Sequence, residues 1–258
     1  MNLPRSSFML ALASLALPLL PASAATQRGA QVIQEYHHDT SPPLRDLAKS
    51  ARPPQPGQIV MREHQSPKHF FEITPGPDTV AQDETTYLPQ VGITRVANFD
   101  GVNGNQGGAI PPDTNGSVGL NQYVEITNFD YEVFDKSGNT LLAPTRIHNI
   151  WSGFGGQCGT QDGGDPIVLW DKMTQRWLVE QLEYFTTNEV CVAVSTTSDA
   201  TGSYNRYSFP FGNSLPDYPK IGVWPDAYYL SVNSFGIGSG EPCAMDRTAM
   251  LAGQTATI

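Results

Sequence analysis

Val118 to Asn128 reads VGLNQYVEITN, and 105 residues later Val223 to Asn233 reads VWPDAYYLSVN, so valine, tyrosine and asparagine recur at the same offsets without a gap. Trp177 falls near the midpoint, 54 residues after Tyr123 and 51 before Tyr228. Asp113 in Pro-Pro-Asp-Thr-Asn-Gly, Asp165 in Gly-Gly-Asp-Pro and Asp217 in Leu-Pro-Asp-Tyr-Pro are spaced 52 and 52, each ahead of the first strand of a group. A period near 50 with about four strands per unit is the arithmetic of propeller blades. The alternative is a β-sandwich in which the spacing is accidental.

Around this repeat, short apolar or alternating runs are bounded by Gly, Asn, Asp and Pro, the pattern of strands and turns. Tyr123 to Thr127, Tyr131 to Phe134 and Thr140 to Leu142 form one group of strands. Ile167 to Trp170, Trp177 to Tyr184, Val190 to Thr196 and Tyr204 to Phe209 form a second. Ile221 to Val223 and Tyr228 to Val232 begin a third, and Arg247 to Leu251 reads as a helical turn. The expected fold is all-β, about three four-stranded blades of an incomplete propeller over residues 91–258. Propellers close with four to eight blades, so closure is expected from a downstream part of a longer polypeptide or from another chain.

The remaining third of the chain reads differently. Met1 to Ala24 carries Arg5, an apolar run from Phe8 to Leu20 and Ala22-Ser23-Ala24, the organisation of a secretory signal peptide. That run is too short to span a bilayer, and no later run reaches the required length. Residues 25–90 are Pro-rich, with mixed charges and no sustained periodicity, and are expected to be a disordered linker or pro-segment. His37, His38, His64 and His69 in this stretch match no ligand spacing.

Composition narrows the function. The chain of 258 residues has 15 Lys plus Arg against 25 Asp plus Glu, a formal net charge of −10. A nucleic-acid partner is excluded on this balance, because neutralising phosphates requires clustered cations. Export to an extracellular or periplasmic compartment makes a disulfide expected among Cys158, Cys191 and Cys243. Cys158 with Cys191 is the preferred pair, stabilising by about 3–4 kcal/mol on the chain-entropy estimate. Three buried thiols are the alternative.

The motifs around the three aspartates, with Trp151-Ser152-Gly153-Phe154-Gly155-Gly156, Cys191 to Thr197 and Asp217 to Tyr229, resemble a group of large secreted bacterial proteins with propeller-like domains. The resemblance covers about Asn98 to Gly253 and implies no established reaction. More distantly, an aspartate ahead of each inner strand is similar to the five-bladed propeller glycosidases. Ser198 to Tyr204 resembles the Asp-box of sialidase-like propellers, with one extra residue between Asp199 and Gly202 and Tyr204 in place of Trp.

In a propeller the innermost strands line a central channel, so Asp113, Asp165 and Asp217 are expected to converge there. Crowded carboxylates do not all ionise, which yields an acid and a base from one residue type, the requirement for glycoside hydrolysis. On this reading Asp113 is the base, Asp165 the orienting or pKa-tuning group, and Glu180, Glu183 and Glu241 are candidate acids. Tyr123, Trp170, Trp177, Trp224 and Tyr228 would supply a platform for sugar rings, although strand aromatics more often form core. A hard-cation reading places calcium on Asp113, Asn115 and Asp165, within an Asn/Asp-rich tract that also holds Asp100, Asn103 and Asn105. The plain alternative for each aspartate is a turn residue bonding its own backbone. No serine-nucleophile elbow, zinc-protease or nucleotide-loop motif is present, and His148 is a lone histidine in the folded part. Two functions follow: a secreted, non-catalytic propeller binding a glycan or cell-surface protein, or a carbohydrate-active hydrolase.

Overall fold

The first strands of three antiparallel sheets lie side by side, and this adjacency organises the molecule. The structure is a computed structural model and describes residues 29–51, 60–61, 97–103, 108–235 and 239–258. In the first sheet, β4 (Asn115–Val118), β5 (Gln122–Ile126), β6 (Asp130–Asp135) and β7 (Thr140–Arg146) follow one another in spatial and chain order. The second runs β8 (Ile167–Asp171), β9 (Arg176–Glu183), β10 (Glu189–Ser195), β11 (Tyr204–Pro210) and then β1 (His37–Thr40). The third is β12 (Pro216–Val223), β13 (Tyr228–Ser234) and β14 (Ser239–Met245). A short parallel pair joins β2 (Val60–Met61) to β3 (Ala109–Ile110). The fold is all-β, and none of these sheets closes on itself.

β4 neighbours β8, and β8 neighbours β12. Backbone donors of β8 reach side chains of β4: Val168 N donates to Asn115 Oδ1 and Trp170 N to Ser117 Oγ, both at 3.0 Å. The five-stranded sheet is central, and β9 and β10 are buried on both faces apart from the edge at Arg176. One apolar cluster, including Ile126, Trp151, Val168 and Trp177, fills its seam with the four-stranded sheet. A second, including Leu178, Val192, Tyr228 and Val232, fills the seam with the three-stranded sheet. β13 accordingly alternates buried and exposed residues, the mark of a sheet with one packed face.

The strands read from sequence are present, most within a residue or two, but β7 runs four residues further and β12 begins five earlier, and the third sheet has three described strands rather than four. After β14 the chain enters α2 (Arg247–Ala252), capped by Asp246, whose side chain accepts from Ala249 N. Gly253 ends the helix at φ 66°, and a Cβ there would come within 2.9 Å of Asn205 Oδ1, so glycine is required twice over. Neither β4 nor β14 was legible as a strand, since both are poor in apolar residues and depend on ladder bonds to β5 and β13.

Within the stretch read as a disordered linker or pro-segment, residues 32–51 are part of the packed unit. β1 pairs with β11, and Leu44 in α1 (Leu44–Leu47) is 1% exposed in the core. Ile33 and Ile258 exchange backbone hydrogen bonds at 2.9 Å, and Arg206, 2% exposed, pairs with Asp39 through Nε at 2.7 Å and a terminal nitrogen at 2.5 Å. This segment is held by backbone pairing and by the Asp39–Arg206 and Arg45–Asp199 ion pairs with residues over 150 positions away, not by a periodic apolar face of its own. The signal peptide at 1–24, and the rest of the expected linker apart from β2, lie outside the described residues. Among the described residues no helix is long and apolar enough to cross a membrane.

Candidate functional site

Asp113 and Asp165 each stand two residues before β4 and β8, and Asp217 is the second residue of β12. Because these strands adjoin, the constant spacing delivers the three aspartates to one cleft of about 300 Å3, shared with Asn128, Gly164 and Tyr218. Asp113 (φ 43°), Asp165 (φ 46°) and Tyr218 (φ 51°) all adopt the left-handed backbone region, and the fourth described non-glycine residue to do so is Gln175, in the turn after β8. Such residues cost of order 1–3 kcal/mol each and concentrate at functional sites, although aspartate tolerates the region best.

Asn128 fixes the geometry. It is 2% exposed, donates through Nδ2 to Asp113 Oδ2 at 2.5 Å and to Pro111 O at 2.8 Å, and accepts at Oδ1 from Asp165 N at 2.8 Å. One buried amide therefore couples the entry turns of two sheets. Its counterpart in the repeat, Asn233, lies opposite Asp217 in the ladder of β12 and β13. Gly163 packs so closely that a Cβ would sit 1.7 Å from Leu182 O, and its N–H donates to Glu183 Oε1 at 3.1 Å.

Two buried acids have unusual character. Glu180, on β9 opposite Ile167, is fully buried, and neither carboxyl oxygen has a hydrogen-bond partner among the described residues. Burial, and then the Asp165 charge, hold its carboxyl well above the usual range, against the opposing pull of Lys220. Asp130 is likewise fully buried, 3.6 Å from Arg146 Nε, and burial pushes it up to about 7. His148 is not isolated: its Nδ1 lies 2.9 Å from Asp162 Oδ2, a bond that raises its pKa.

Other expected residues fall elsewhere. Glu241 is on the outer strand β14, where its charge and, above all, burial raise the Cys243 thiol to about 11. For calcium, Asn115 Oδ1 is already bonded to β8, and among the described residues no three His, Cys, Asp or Glu side chains group as a metal site. The cation reading of Asp113, Asn115 and Asp165 thus gains no donor set. Asp100 and Asn103 lie in a separate described stretch, and Asn105 lies outside the described residues. Trp177 and Tyr228 are fully buried core, and Trp170 packs on Trp177 at 4.9 Å. Tyr123 is half-buried against Phe99. Trp224 is exposed, but it follows the end of β12 remote from Asp217, roughly 20 Å along the strand.

The aromatic that does reach the cleft is Tyr218, 59% exposed, with Lys220 Nζ 3.4 Å from its ring centroid. The Asp-box-like turn is structural: Asp199 accepts from Thr201 N at 2.9 Å and Gln122 Nε2 at 3.0 Å, and pairs with Arg45 at 2.8 Å. The disulfide joins Cys158 to Cys191 with Cα atoms 5.9 Å apart, and Cys243 is free. The chain was compared with known protein families, curated proteins and solved structures, and nothing matched.

Proposed function

We propose that the chain is an exported propeller-type module whose acidic cleft binds a glycan. The observation that carries this reading is the convergence of Asp113, Asp165 and Asp217, one from each sheet, on a single cleft. Carboxylates that accept paired hydrogen bonds suit vicinal hydroxyls, and the exposed Tyr218 ring offers a stacking face. The sequential antiparallel order of each sheet, with first strands adjoining, supports the blade reading. The leader-like N-terminus and the disulfide support export.

A hydrolase is the second reading, and Glu180 is what favours it. A carboxyl raised well above its usual range by burial and the Asp165 charge is the kind of acid that glycoside cleavage requires, with Asp113 as base. Its full burial places it behind the cleft, so binding without turnover is the primary reading.

The test compares Asp113→Asn, Asp165→Asn and Asp217→Asn with the parent for glycan-array binding, polysaccharide cleavage and Tm. Binding is expected to weaken at least tenfold in each variant with Tm nearly unchanged, and cleavage to be absent from the parent. Turnover abolished by Asp113→Asn would install the hydrolase instead. Unchanged binding in all three variants would sink the cleft as the site.

A further inference from the structure

A cavity of about 410 Å3 lies away from the aspartates, between the N-terminal strand and the loop that leads into the disulfide. Its walls include Tyr36 and His37 from the β1 region, Phe154, and Gly155 and Gly156, with Glu189, Cys158 and Ser208 also lining it. Gly155 and Gly156 have φ of 91° and 63°, and a Cβ on either would meet nothing within 4 Å, so this stretch of wall is bare backbone facing open space. The volume lies within the roughly 300–1,000 Å3 of small-molecule sites.

Glu189 is 7% exposed. Gln157 Nε2 donates to its Oε1 at 2.5 Å and Thr187 Oγ1 at 3.1 Å, and Ser208 donates to Oε2. A carboxylate has about four acceptor positions, so three neutral donors leave one on Oε2, the oxygen 3.9 Å from Cys158 Sγ. Among the described residues no cation is ion-paired with Glu189. Arg206, whose guanidinium lies 5.3 Å from the Phe154 ring centroid, is neutralised by Asp39. Buried charges in proteins are ordinarily paired, and the compensating cation here has an open route through an aromatic-walled cavity.

We propose that this cavity binds a small organic cation, a protonated amine on an apolar body. The ammonium donates to Glu189 Oε2, and the body rests against Phe154 and Tyr36. The site is distinct from the aspartate cleft and does not depend on its reading. It exists only while residues 36–37 are docked, which gives the N-terminal strand a binding role besides a structural one.

The experiment titrates the full chain with benzylamine, and in parallel with benzyl alcohol and benzoate, following backbone amide resonances. Benzylamine is expected to bind saturably, shifting Tyr36, Gly155 and Gly156, and at least tenfold more tightly than the alcohol, with no binding of benzoate. Glu189→Gln is expected to remove the tenfold preference. Should that variant fail to fold, the amine-against-alcohol ratio on the parent protein still decides. Equal binding of amine and alcohol, or amine-induced shifts confined to Gly163 and Gly164 at the aspartate cleft, would overturn the proposal.

Discussion

The two seams flanking the central sheet bury acids in opposite ways. In the seam with the three-stranded sheet, Asp171 is fully buried but well served: Arg247 donates twice to Oδ2, at 2.8 and 3.0 Å, Tyr228 donates at 3.1 Å and Thr174 at 2.7 Å. Burial raises its pKa, yet these donors outweigh burial and the carboxyl sits below its usual value. In the seam with the four-stranded sheet, Asp130 is equally buried and has one cation at 3.6 Å, so burial wins and its carboxyl is pushed up to about 7. That seam has compensating ties, namely the Cys158–Cys191 disulfide and the Asn115 and Ser117 bonds to β8. One seam rests on packing and a complete ion pair, the other on a covalent staple and groups that titrate.

The sharpest way to break the contrast is Arg247→Ala, which leaves Asp171 buried without its cation. A loss of about 3–5 kcal/mol in urea unfolding is expected, because an orphaned buried charge is more costly than an absent pair. Arg247→Met with Asp171→Leu should recover much of it. Next comes the covalent tie: Cys158→Ala with Cys191→Ala is expected to cost about 3–4 kcal/mol for a 33-residue separation. If chemical reduction leaves the unfolding midpoint unchanged, the staple is not what holds that seam.

A pH series separates the seams without mutation. Asp130, with its folded pKa raised, binds a proton in the folded chain that the unfolded chain has lost, so stability falls from about pH 4 to about pH 7. His148, also raised, contributes stability below its ordinary value that disappears as pH climbs through the raised one. Asp171 and Asp199, both lowered, act oppositely: their contribution is present above the ordinary aspartate value and disappears as pH falls through the lowered one. Tm is therefore expected to peak near about pH 5 and decline towards about pH 8. Asp130→Asn should flatten the alkaline side, and an unaltered slope would contradict its buried, raised state. The smallest effect is expected from Ser117→Ala, about 1 kcal/mol, from leaving Trp170 N without its acceptor.

Much of the candidate site was legible because spacing survives folding when each unit repeats its path. The 52-residue interval predicted that three aspartates meet, and they do. Asn128 was visible as a matched position of the repeat, but its role as the amide joining two entry turns was not, since its partners lie 15 and 37 residues away. Tyr218 was overlooked because it reads as filler between Asp217 and Pro219. Of the platform residues proposed in its place, Trp177 and Tyr228 are core, since strand aromatics bury wherever a sheet covers them, and Trp224 is exposed but remote from the cleft. The N-terminal strand was missed because its hold on the fold is an edge of β11 and one arginine.

Local chemistry in the chain was enough to read most strands of the three sheets, the recurrence that gathers the aspartates, and the preferred cysteine pair. Only the tertiary structure decided which buried acids are pushed above their usual range, which aromatics face solvent, and that residues 32–51 belong to the fold. The reason is physical. A pattern within the chain sets backbone path and facing, whereas the raised pKa of Glu180 depends first on its burial and then on Asp165 and Lys220, groups brought to it by the turn before β8 and by β12.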